Sequence, residues 1–594
     1  MIARVENHKN NIKCAYLLKG IPISPGIAIS KVFVLQDEAV KIEPTVIDES
    51  QIEGEIDKFK QAVAKAKLEL RTLQTRVAHR IGEENAKIFD VHQLLLEDSL
   101  IIEETISSIK REFKSADHAF YDTMEKFQHT LDDSSIDFFQ SRIPDLKDIK
   151  KRVIKHIQGD RTDYLNKLEG SAVIVAIDLT PSDTVKLDRH KVRGFATDLG
   201  GRTTHVAIMA RSMEVPAVVG LRRIARIVNE GDRIIIDGSK GHVLINPDEK
   251  TIQHYRKLRE KYYDIETRLA EIRDLPCITL DGKEIELSAN LEFSDEVESA
   301  KTHGARGIGL YRTDYIYLAG SALPTEDEQY HEYKKIVEKM TPEPVIVRTM
   351  DVGGDKQPKS FTIPPEENPF LGWRAIRISI ERPDIFEVQL RAMLRASQHG
   401  NLKILLPMIS GLEEIIECKA ALERAKSELR KKKIPFDENV ELGVMIEVPS
   451  AALLADKIAR EVDFLSIGTN DLVQYLLAVD RGNERIAYLY KHLHPAVLRA
   501  IKQIIAAGHQ EGVWVGMCGE MASDPLATLI LLGLDLDEFS VTPTSVPEIK
   551  KIIRSVDYRE AVRVANKALE FSKASEVERF MTKVMRQKFK DIKT

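Results

Sequence analysis

The feature that most constrains the fold is a series of eight short apolar segments after Cys277, each followed by a helical pattern. Strands that alternate with helices over roughly 300 residues favour parallel pairing and closure into a (β/α)8 TIM barrel. The predicted strands are Ile285–Leu291, Gly307–Arg312, Pro344–Met350, Leu402–Met408, Leu442–Val448, Asp463–Ile467, Val513–Met517 and Glu538–Val541. We therefore expect residues 276–594 to form one barrel domain.

Polar and charged residues follow most of these strands, at the end where such barrels hold their active sites. They are Asn290, Arg312, Arg348 with Asp351, Glu447, Asn470 with Asp471, and Cys518 with Glu520. Each one alone could equally be a surface ion pair or a strand terminus. Because so many occur at successive strand ends, we expect them to converge on one pocket.

The residue types in this pocket favour a small, doubly anionic, chelating substrate. Arg312, Arg348 and, in a following loop, Arg481 carry planar guanidinium groups that bind phosphate or carboxylate through paired hydrogen bonds. Glu447 and Asp471 offer hard oxygen ligands of the kind that Mg²⁺ prefers. The segment between the third strand and the next helical pattern, GGDKQPKSFTIPPEENPFLGW, is long enough to be a functional loop.

The four cysteines are scattered and show no metal-ligand spacing, which favours a reduced, cytosolic compartment. Cys14, Cys277 and Cys418 are interpreted as small core residues. Cys518 differs, because a thiol directed into an anion pocket can protonate a carbanion. A net charge of −6 over 594 residues suggests neither a nucleic-acid nor a membrane partner.

The half of the chain before the barrel contains two kinds of sequence pattern, one typical of strands and one typical of helices. Short strand-like segments, Tyr16–Leu35, Ser171–Leu179, Lys191–Leu199 and Asp232–Gly238, flank long amphipathic helical patterns from Glu49 to about Ile157. We expect an α/β domain from residues 16–40 and 158–250, with a helical subdomain, 41–157, inserted into it. Residues 1–15 are interpreted as a short extension, and residues 251–275 as a linker helix.

One stretch of the α/β domain, Gly194–Gly220, carries a candidate nucleophile. A predicted strand ends at Gly200-Gly201, and His205 follows at the start of a helical pattern, Val206–Arg211. Free N–H groups and the helix dipole favour a dianion there, and imidazole can attack phosphorus. A capping loop whose histidine only makes a hydrogen bond is the alternative.

The segment Thr197–Arg211 resembles the phosphohistidine signature of the phosphoenolpyruvate-utilising enzymes, T-D-x-G-G-R-T-[ST]-H-x-x-I-M-A-R. The barrel blocks GIGLYRTD, VIVRTMDVGGDK, ELGVMIEVPSA, FLSIGTNDLVQYLLAVDRGN and GMCGE are similar to those of one member family, Enzyme I of the bacterial sugar phosphotransferase system. The similarity extends from about Ile21 to beyond Val541.

The resemblance implies a function and a set of site residues. His205 would receive the phosphoryl group of phosphoenolpyruvate and pass it to a histidine of the carrier protein HPr, releasing pyruvate in the first step of sugar uptake. The implied roles are substrate binding by Arg312, Arg348, Asn470, Asp471 and Arg481, Mg²⁺ binding by Glu447 and Asp471, proton donation by Cys518, and support by Thr184, Arg202 and Asp351. HPr would dock on the inserted helices, the phosphohistidine domain would swivel, and the barrel would form a homodimer.

Two places depart from the family pattern. Asp314 stands where glutamate is usual, which leaves its role open, and the end of the helical insert, DDSSIDFFQSRIPDLKDI, is less charged than usual. A dikinase or phosphoenolpyruvate synthase would need a nucleotide-binding domain before His205, which we do not expect here. A regulatory scaffold without turnover would have lost its ligands, yet they are present.

Overall fold

The computed structural model describes residues 5–7, 12–35, 42, 45–81, 88–132, 143–159, 170–179, 191–200, 206, 210, 213, 215–319, 322–354, 356, 358, 360–481, 483 and 485–589. The chain divides into two compact units, Met1–Asp264 and Ile265–Thr594. Each unit is built on a sheet of its own.

The sheet of the first unit contains nine described strands in the order β1-β2-β9-β8-β4-β5-β6-β7-β3. They are β1 Val5–Asn7, β2 Ile12–Lys19, β3 Ile21–Ser24, β4 Ile27–Leu35, β5 Ala172–Ala176, β6 Val192–Thr197, β7 Ala217–Val219, β8 Arg233–Asp237 and β9 His242–Pro247. Strands β4 to β7 run parallel, and β3 and β8 pair antiparallel at either side of them. Both faces are covered by core side chains, so β5 is buried at every position.

A block of helices lies between β4 and β5 in the chain. Its described helices are Ile52–Ile81, Ile88–Glu97, Ser99–Glu112, Ala116–Asp132 and Ile143–Gln158. Their apolar faces share one core, which includes Phe59, Leu70, Phe120 and Ile154. Because β4 and β5 pair directly with each other, the block is an insertion into the α/β fold, as the sequence predicts.

The N-terminal residues differ from the prediction. Residues 1–15 are not simply an extension, since β1 pairs with β2 and Cys14 in β2 aligns with Pro247 in β9. The pairing joins segments more than 200 residues apart, and the pattern of a short segment cannot indicate such a distant partner. The interpretation of residues 1–15 as a short extension is therefore wrong for their described part.

The second unit contains a closed barrel of eight parallel strands in chain order. They are β10 Glu286–Leu291, β11 Ile308–Tyr311, β12 Val345–Arg348, β13 Leu402–Leu406, β14 Leu442–Ile446, β15 Phe464–Ile467, β16 Trp514–Met517 and β17 Glu538–Val541. The predicted TIM barrel is confirmed, and each predicted strand overlaps an observed one. Most observed strands are shorter at one or both ends, and β11 and β14 end just before Arg312 and Glu447, which begin the following loops.

Helices surround the barrel. Those described are Val297–Thr302, Asp314–Ala319, Glu326–Met340, Ile376–Glu381, Pro383–Ser397, Leu412–Lys432, Pro449–Leu453, Ala455–Ala459, Thr469–Leu477, Pro495–Gln510, Pro525–Gly533, Val546–Arg554, Tyr558–Glu570 and Ala574–Lys588. Alternate strand residues, such as Leu465 and Ile467, pack outward against these helices. The strand residues that alternate with these, such as Phe464, belong to a separate cluster inside the barrel.

A single long helix, Glu249–Ala270, contains the division between the two units and overlaps the predicted linker. The short helix Ile224–Ile227 also belongs to the first unit. Within the part of the chain that the structure describes, every helix is too short or too polar to cross a membrane.

Candidate active site

Four charged residues that the sequence places at strand ends meet at the carboxyl end of the barrel. Arg348 is the last residue of β12, Asp351 follows three positions later, Glu447 follows β14, and Asp471 lies in the first turn of the helix Thr469–Leu477. All four are at most 5% exposed. Charges at such depth are stable only when they are paired, hydrogen-bonded or bound to a ligand.

A fifth charge, Arg374, joins this group although it follows no barrel strand. Its Nε and Nη2 atoms donate to the two carboxylate oxygens of Asp351 at 2.9 and 3.1 Å. Its Nη1 and Nη2 atoms donate to Asp471 at 3.3 and 3.0 Å. Burial opposes the charge, yet Asp351 and Asp471 raise the pKa of Arg374 further above its ordinary value. Arg374 therefore fixes the spacing of two carboxylates.

Arg348 is held between two aspartates. Its Nη2 lies 2.9 and 2.8 Å from the carboxylate oxygens of Asp314, and its Nη1 lies 3.0 Å from Asp351. Lys356 donates to Asp314 at 2.5 Å. Burial alone would raise the pKa of Asp314, but Arg348 and Lys356 outweigh it and lower that pKa. Asp314, whose role the sequence leaves open, thus orients Arg348.

The charges of this group do not balance. Arg348, Lys356 and Arg374 face four carboxyl groups, those of Asp314, Asp351, Glu447 and Asp471. Burial, followed by the neighbouring carboxylates of Asp471 and Asp351, raises the pKa of Glu447. A cation placed between Glu447 and Asp471 would relieve this repulsion.

The carboxylate pair fits Mg²⁺ better than a metal that needs an all-protein cage. Mg²⁺ is commonly bound through one or two carboxylates, with water and substrate oxygens completing the shell. Among the described residues, no cluster of three or more His, Cys, Asp or Glu side chains is close enough to hold a metal. Glu447 and Asp471 therefore fit a site that the substrate completes.

Two residues beside this group adopt the left-handed backbone conformation that non-glycine residues rarely take. Met408 has φ 58°, and Ala375 has φ 53°. The N–H of Met408 donates to Glu447 Oε1 at 2.6 Å, and the N–H of Ala375 donates to Val352 O at 3.0 Å. Such conformations cost about 1–3 kcal/mol each and are often found at functional sites. Here the Met408 backbone orients Glu447.

Cys518 lies just below these charges, inside the barrel. Its side chain is 3% exposed and belongs to the interior cluster that includes Leu405, Met445 and Phe464. Ser466 Oγ lies 3.4 Å from its Sγ. Burial raises the pKa of Cys518 to about 11, although the Ser466 hydroxyl acts in the opposite direction. The thiol is therefore protonated at neutral pH, as a proton donor must be.

The other predicted binding residues lie at the rim and have different partners. Arg312 is about one-third exposed and donates to Glu292 at 2.7 Å. Asn470 Oδ1 accepts from the N–H of Glu520 at 2.9 Å. Arg481 is exposed, and its backbone N–H donates to a glutamine side chain at 3.1 Å. The structure does not bring these three into the buried group.

Asn290, the first of the predicted strand-end residues, has a structural environment. Its side-chain N–H donates to Cys518 O at 2.9 Å and to Ser540 O at 3.1 Å, and Ser540 Oγ donates to its Oδ1 at 2.6 Å. These hydrogen bonds engage both the nitrogen and the oxygen of the Asn290 side-chain amide. Asn290 thus holds the backbone that carries Cys518.

The candidate nucleophile His205, with Arg202 and Thr184, lies outside the described residues. The described residue Asp198 lies seven positions before His205. The Asp198 carboxylate accepts from the N–H groups of Ile224 and Ala225. Asp198 is therefore fixed to the start of a helix in the same unit.

Known proteins resemble this chain along most of its length. Family models described as PEP-utilising enzyme match the chain in three places: the N-terminal model at residues 19–142, the mobile domain at 168–241 and the PEP-binding domain at 266–558. A phosphoenolpyruvate-protein phosphotransferase of Haemophilus influenzae is 44% identical over 95% of this chain and 98% of its own. One of Geobacillus stearothermophilus is 44% identical over 95% and 97%.

A solved structure described as an NMR solution structure of Enzyme I is also similar. It is 41% identical, covers 41% of this chain and 99% of its own, and aligns with a TM-score of 0.36.

Proposed function

Since this chain belongs to the phosphoenolpyruvate-protein phosphotransferase family, we propose that it transfers the phosphoryl group of phosphoenolpyruvate to His205 and then to a carrier protein. It is a phosphotransferase of the phosphoenolpyruvate-utilising group. The observation that carries the proposal is the buried group of Arg348, Arg374, Glu447 and Asp471 at the catalytic end of the barrel. This group holds two arginine side chains in fixed positions beside the carboxyl groups of Glu447 and Asp471.

The proposal for substrate binding rests on a buried N–H of this group that has no partner among the described residues. Arg348 uses both terminal nitrogens on Asp314 and Asp351, and its Nε is buried without a hydrogen-bond partner among the described residues. An unpaired buried N–H is costly unless a ligand accepts from it. We assign this N–H to an oxygen of phosphoenolpyruvate, with Arg312, Asn470 and Arg481 closing on the substrate from the rim.

The same group would hold the metal. Glu447 and Asp471 would bind Mg²⁺, which supplies charge neutralisation at the phosphate and enolate oxygens when bound. Glu447 Oε1 is occupied by the Met408 N–H, which leaves Oε2 for a ligand. Asp351 keeps Arg348 and Arg374 in place.

The reaction needs one bond change at phosphorus and one at carbon. The ester P–O bond breaks as a bond forms between phosphorus and the imidazole nitrogen of His205, with Thr184 and Arg202 supporting the loop. The enolate that leaves then takes the Cys518 proton at its methylene carbon, which gives pyruvate. Because Cys518 is protonated and buried beneath the charges, it suits this step.

The remaining assignments extend the family's activity. HPr would dock on the inserted helices of residues 41–157 and receive the phosphoryl group on its own histidine. The α/β domain, residues 16–40 and 158–250, would move about the linker at 251–275, and two barrels would form a dimer. We place the enzyme in the cytoplasm, at the first step of sugar uptake, without a nucleic-acid or membrane partner.

The test is the intact mass of the protein after brief exposure to phosphoenolpyruvate and Mg²⁺. The wild-type chain is expected to gain one acid-labile phosphate and lose it when purified HPr is added, and His205→Ala is expected to gain none. A gain with ATP instead of phosphoenolpyruvate would point to a dikinase. No gain with either donor would show a protein that only binds partners.

A further inference from the structure

The barrel buries a second carboxyl group that phosphoryl transfer does not use. Glu538 is the first residue of β17, at the end opposite to the catalytic pocket, and is 4% exposed. Its Oε2 atom has no hydrogen-bond partner among the described residues. A buried polar atom without a partner is costly, so its retention calls for an explanation.

Two glycines make room for this carboxyl group. Glu538 Oε2 lies 2.5 Å from the position that a Cβ on Gly516 would occupy, and Oε1 lies 2.7 Å from the corresponding position on Gly309. Any side chain at either glycine would collide with the carboxyl group. The interior of the barrel is thus shaped around Glu538.

Gly516, the glycine in β16, lies between Glu538 and Ser466, the residue whose hydroxyl contacts the Cys518 thiol. Ser466 of β15 aligns with Gly516, and Gly516 aligns with Glu538, so the three lie side by side on adjacent strands. Because Gly516 has no side chain, no side chain of β16 stands between Ser466 and Glu538 in this row. Ser466 Oγ in turn donates to Cys518 Sγ at 3.4 Å.

We propose that Glu538 is an internal proton source that restores the Cys518 thiol, through the Ser466 hydroxyl, after each turnover. The proposal rests on the proposed function, in which Cys518 loses its proton to the enolate. The thiol is 3% exposed. A route through the barrel lets it recover its proton without opening the substrate pocket to water.

The proton balance is complete without an oxidant or reductant. The Cys518 S–H bond breaks as a C–H bond forms at the methylene carbon of the enolate. The thiolate takes the hydroxyl proton of Ser466, whose oxygen takes the carboxyl proton of Glu538, directly or through one water molecule. The Glu538 carboxylate then takes a proton from solvent at the N-terminal end of the barrel.

The direction of transfer agrees with the acidities. Burial raises the pKa of Glu538 to about 7, with the Ser288 hydroxyl acting against it. Burial raises the pKa of Cys518 to about 11. A proton therefore passes from the carboxyl group to the thiolate with a favourable free energy, and the carboxyl group can regain a proton at neutral pH.

The charged groups that influence Glu538 lie near the N-terminal ends of the neighbouring strands. Exposed Glu286 aligns with it on β10 and raises its pKa, while Lys403 on β13 lowers it. Lys403 pairs with Glu441 at 2.8 Å and lies 5.1 Å from the centre of the Trp514 ring. These groups form the N-terminal mouth of the barrel, on the side away from the substrate.

The test compares two rates in Glu538→Gln, which keeps the shape of the side chain but carries no acidic proton. Net pyruvate formation with HPr consumes one thiol proton per cycle. Exchange of labelled pyruvate into phosphoenolpyruvate returns the proton to Cys518 in the reverse step, so it needs no other source. Net turnover is expected to fall by about tenfold or more, while exchange stays near the wild-type rate.

Further variants sharpen the comparison. Ser466→Ala removes the relay hydroxyl, and the same loss of net turnover with retained exchange is expected. Glu284→Gln, which changes an exposed carboxyl group near the same mouth, should leave both rates unchanged. The wild-type net rate should fall as pH rises through about 7, where Glu538 loses its proton, and Glu538→Gln should lack this fall.

Three results would overturn the proposal. Unchanged net turnover in Glu538→Gln would mean that solvent restores the thiol directly. An equal fall of net turnover and exchange would mean that Glu538 acts only through packing. A wild-type chain with neither rate would overturn the proposed function itself, and the relay with it.

Discussion

The two ends of the barrel each bury a glutamate, and their surroundings differ. Glu447 lies among arginines and other carboxylates; burial and then the carboxylates of Asp471 and Asp351 raise its pKa, while Arg374 and Arg348 act against them. Glu538 lies among serines and glycines, and burial is the main reason that its pKa rises to about 7. The first environment suits a ligand that brings positive charge, and the second suits a group that gains and loses a proton.

The difference shows how one barrel can separate two kinds of chemistry. At the catalytic end, fixed charges remain in place and can stabilise a transferring phosphoryl group without rearrangement. Toward the opposite end, hydroxyl groups and a carboxyl group can exchange protons. Cys518 lies between the two environments and belongs to both.

The largest expected effect comes from breaking the charge network at the catalytic end. Arg374→Met leaves Asp351 and Asp471 buried without their shared partner. The loss in free energy of unfolding should be about 3–5 kcal/mol, the usual result of removing one member of a buried pair. Both tryptophans, Trp373 and Trp514, lie in the second unit, so urea unfolding followed by tryptophan fluorescence reports on the barrel.

Matched variants identify the cause of that loss. Arg430→Met removes an arginine that also pairs with a carboxylate, Glu438, at 2.6 Å but at the surface, and the barrel should be nearly as stable as before. Arg374→Lys keeps a charge and should lose less than Arg374→Met. Equal losses in Arg374→Met and Arg430→Met would contradict the account of the buried network.

A somewhat smaller effect should separate Glu538 from an ordinary surface carboxylate. Because its folded pKa, about 7, lies above the unfolded value of 4.5, its contribution to stability is lost as pH rises between these values. From about pH 5 to about pH 8, the wild-type free energy of unfolding should fall by about 2 to 3 kcal/mol more than that of Glu538→Gln. Urea unfolding at several pH values measures the difference, and parallel curves would show an unperturbed Glu538.

The third effect, of about the same size as the second, concerns the metal. Glu447→Gln removes one hard oxygen ligand, so the Mg²⁺ concentration for half-maximal turnover should rise and saturated turnover should fall by about a hundredfold. Glu538→Gln should keep the wild-type Mg²⁺ dependence. Titration of activity with Mg²⁺ gives both quantities, and the same dependence in all three proteins would refute Glu447 as a ligand.

Much of the fold could be predicted because its signals are local. Each barrel strand is a short apolar run between helical patterns, and the polar residue that ends it marks the catalytic side. This pattern predicts Arg348, Asp351, Glu447 and Asp471 as site residues, and the structure brings them together. The change from strand-like segments to long amphipathic helical patterns, and back again, predicts the insertion of the helical block.

Other parts could not be predicted because they depend on distant contacts. Arg374 follows the long loop after β12, directly after the segment that the sequence marks as functional, but nothing local shows that it reaches Asp471, 97 residues away. Glu538 is the first residue of its strand, so a search restricted to the residues that follow the strands does not find it. The sequence feature that could indicate Glu538 is the pair of interior glycines, Gly309 and Gly516. Their relation to Glu538 can be recognised only when the register of the strands is known.

The most direct test of the account is single-turnover phosphorylation by phosphoenolpyruvate and Mg²⁺, followed by rapid quenching and intact mass, in three proteins. Glu538→Gln starts with a protonated Cys518, so it should gain its phosphate at the wild-type rate, whereas Glu447→Gln should gain it about a hundredfold more slowly. If Glu538→Gln were as slow as Glu447→Gln in this first turnover, the division of the barrel into a phosphoryl-transfer end and a proton-supply end would be wrong.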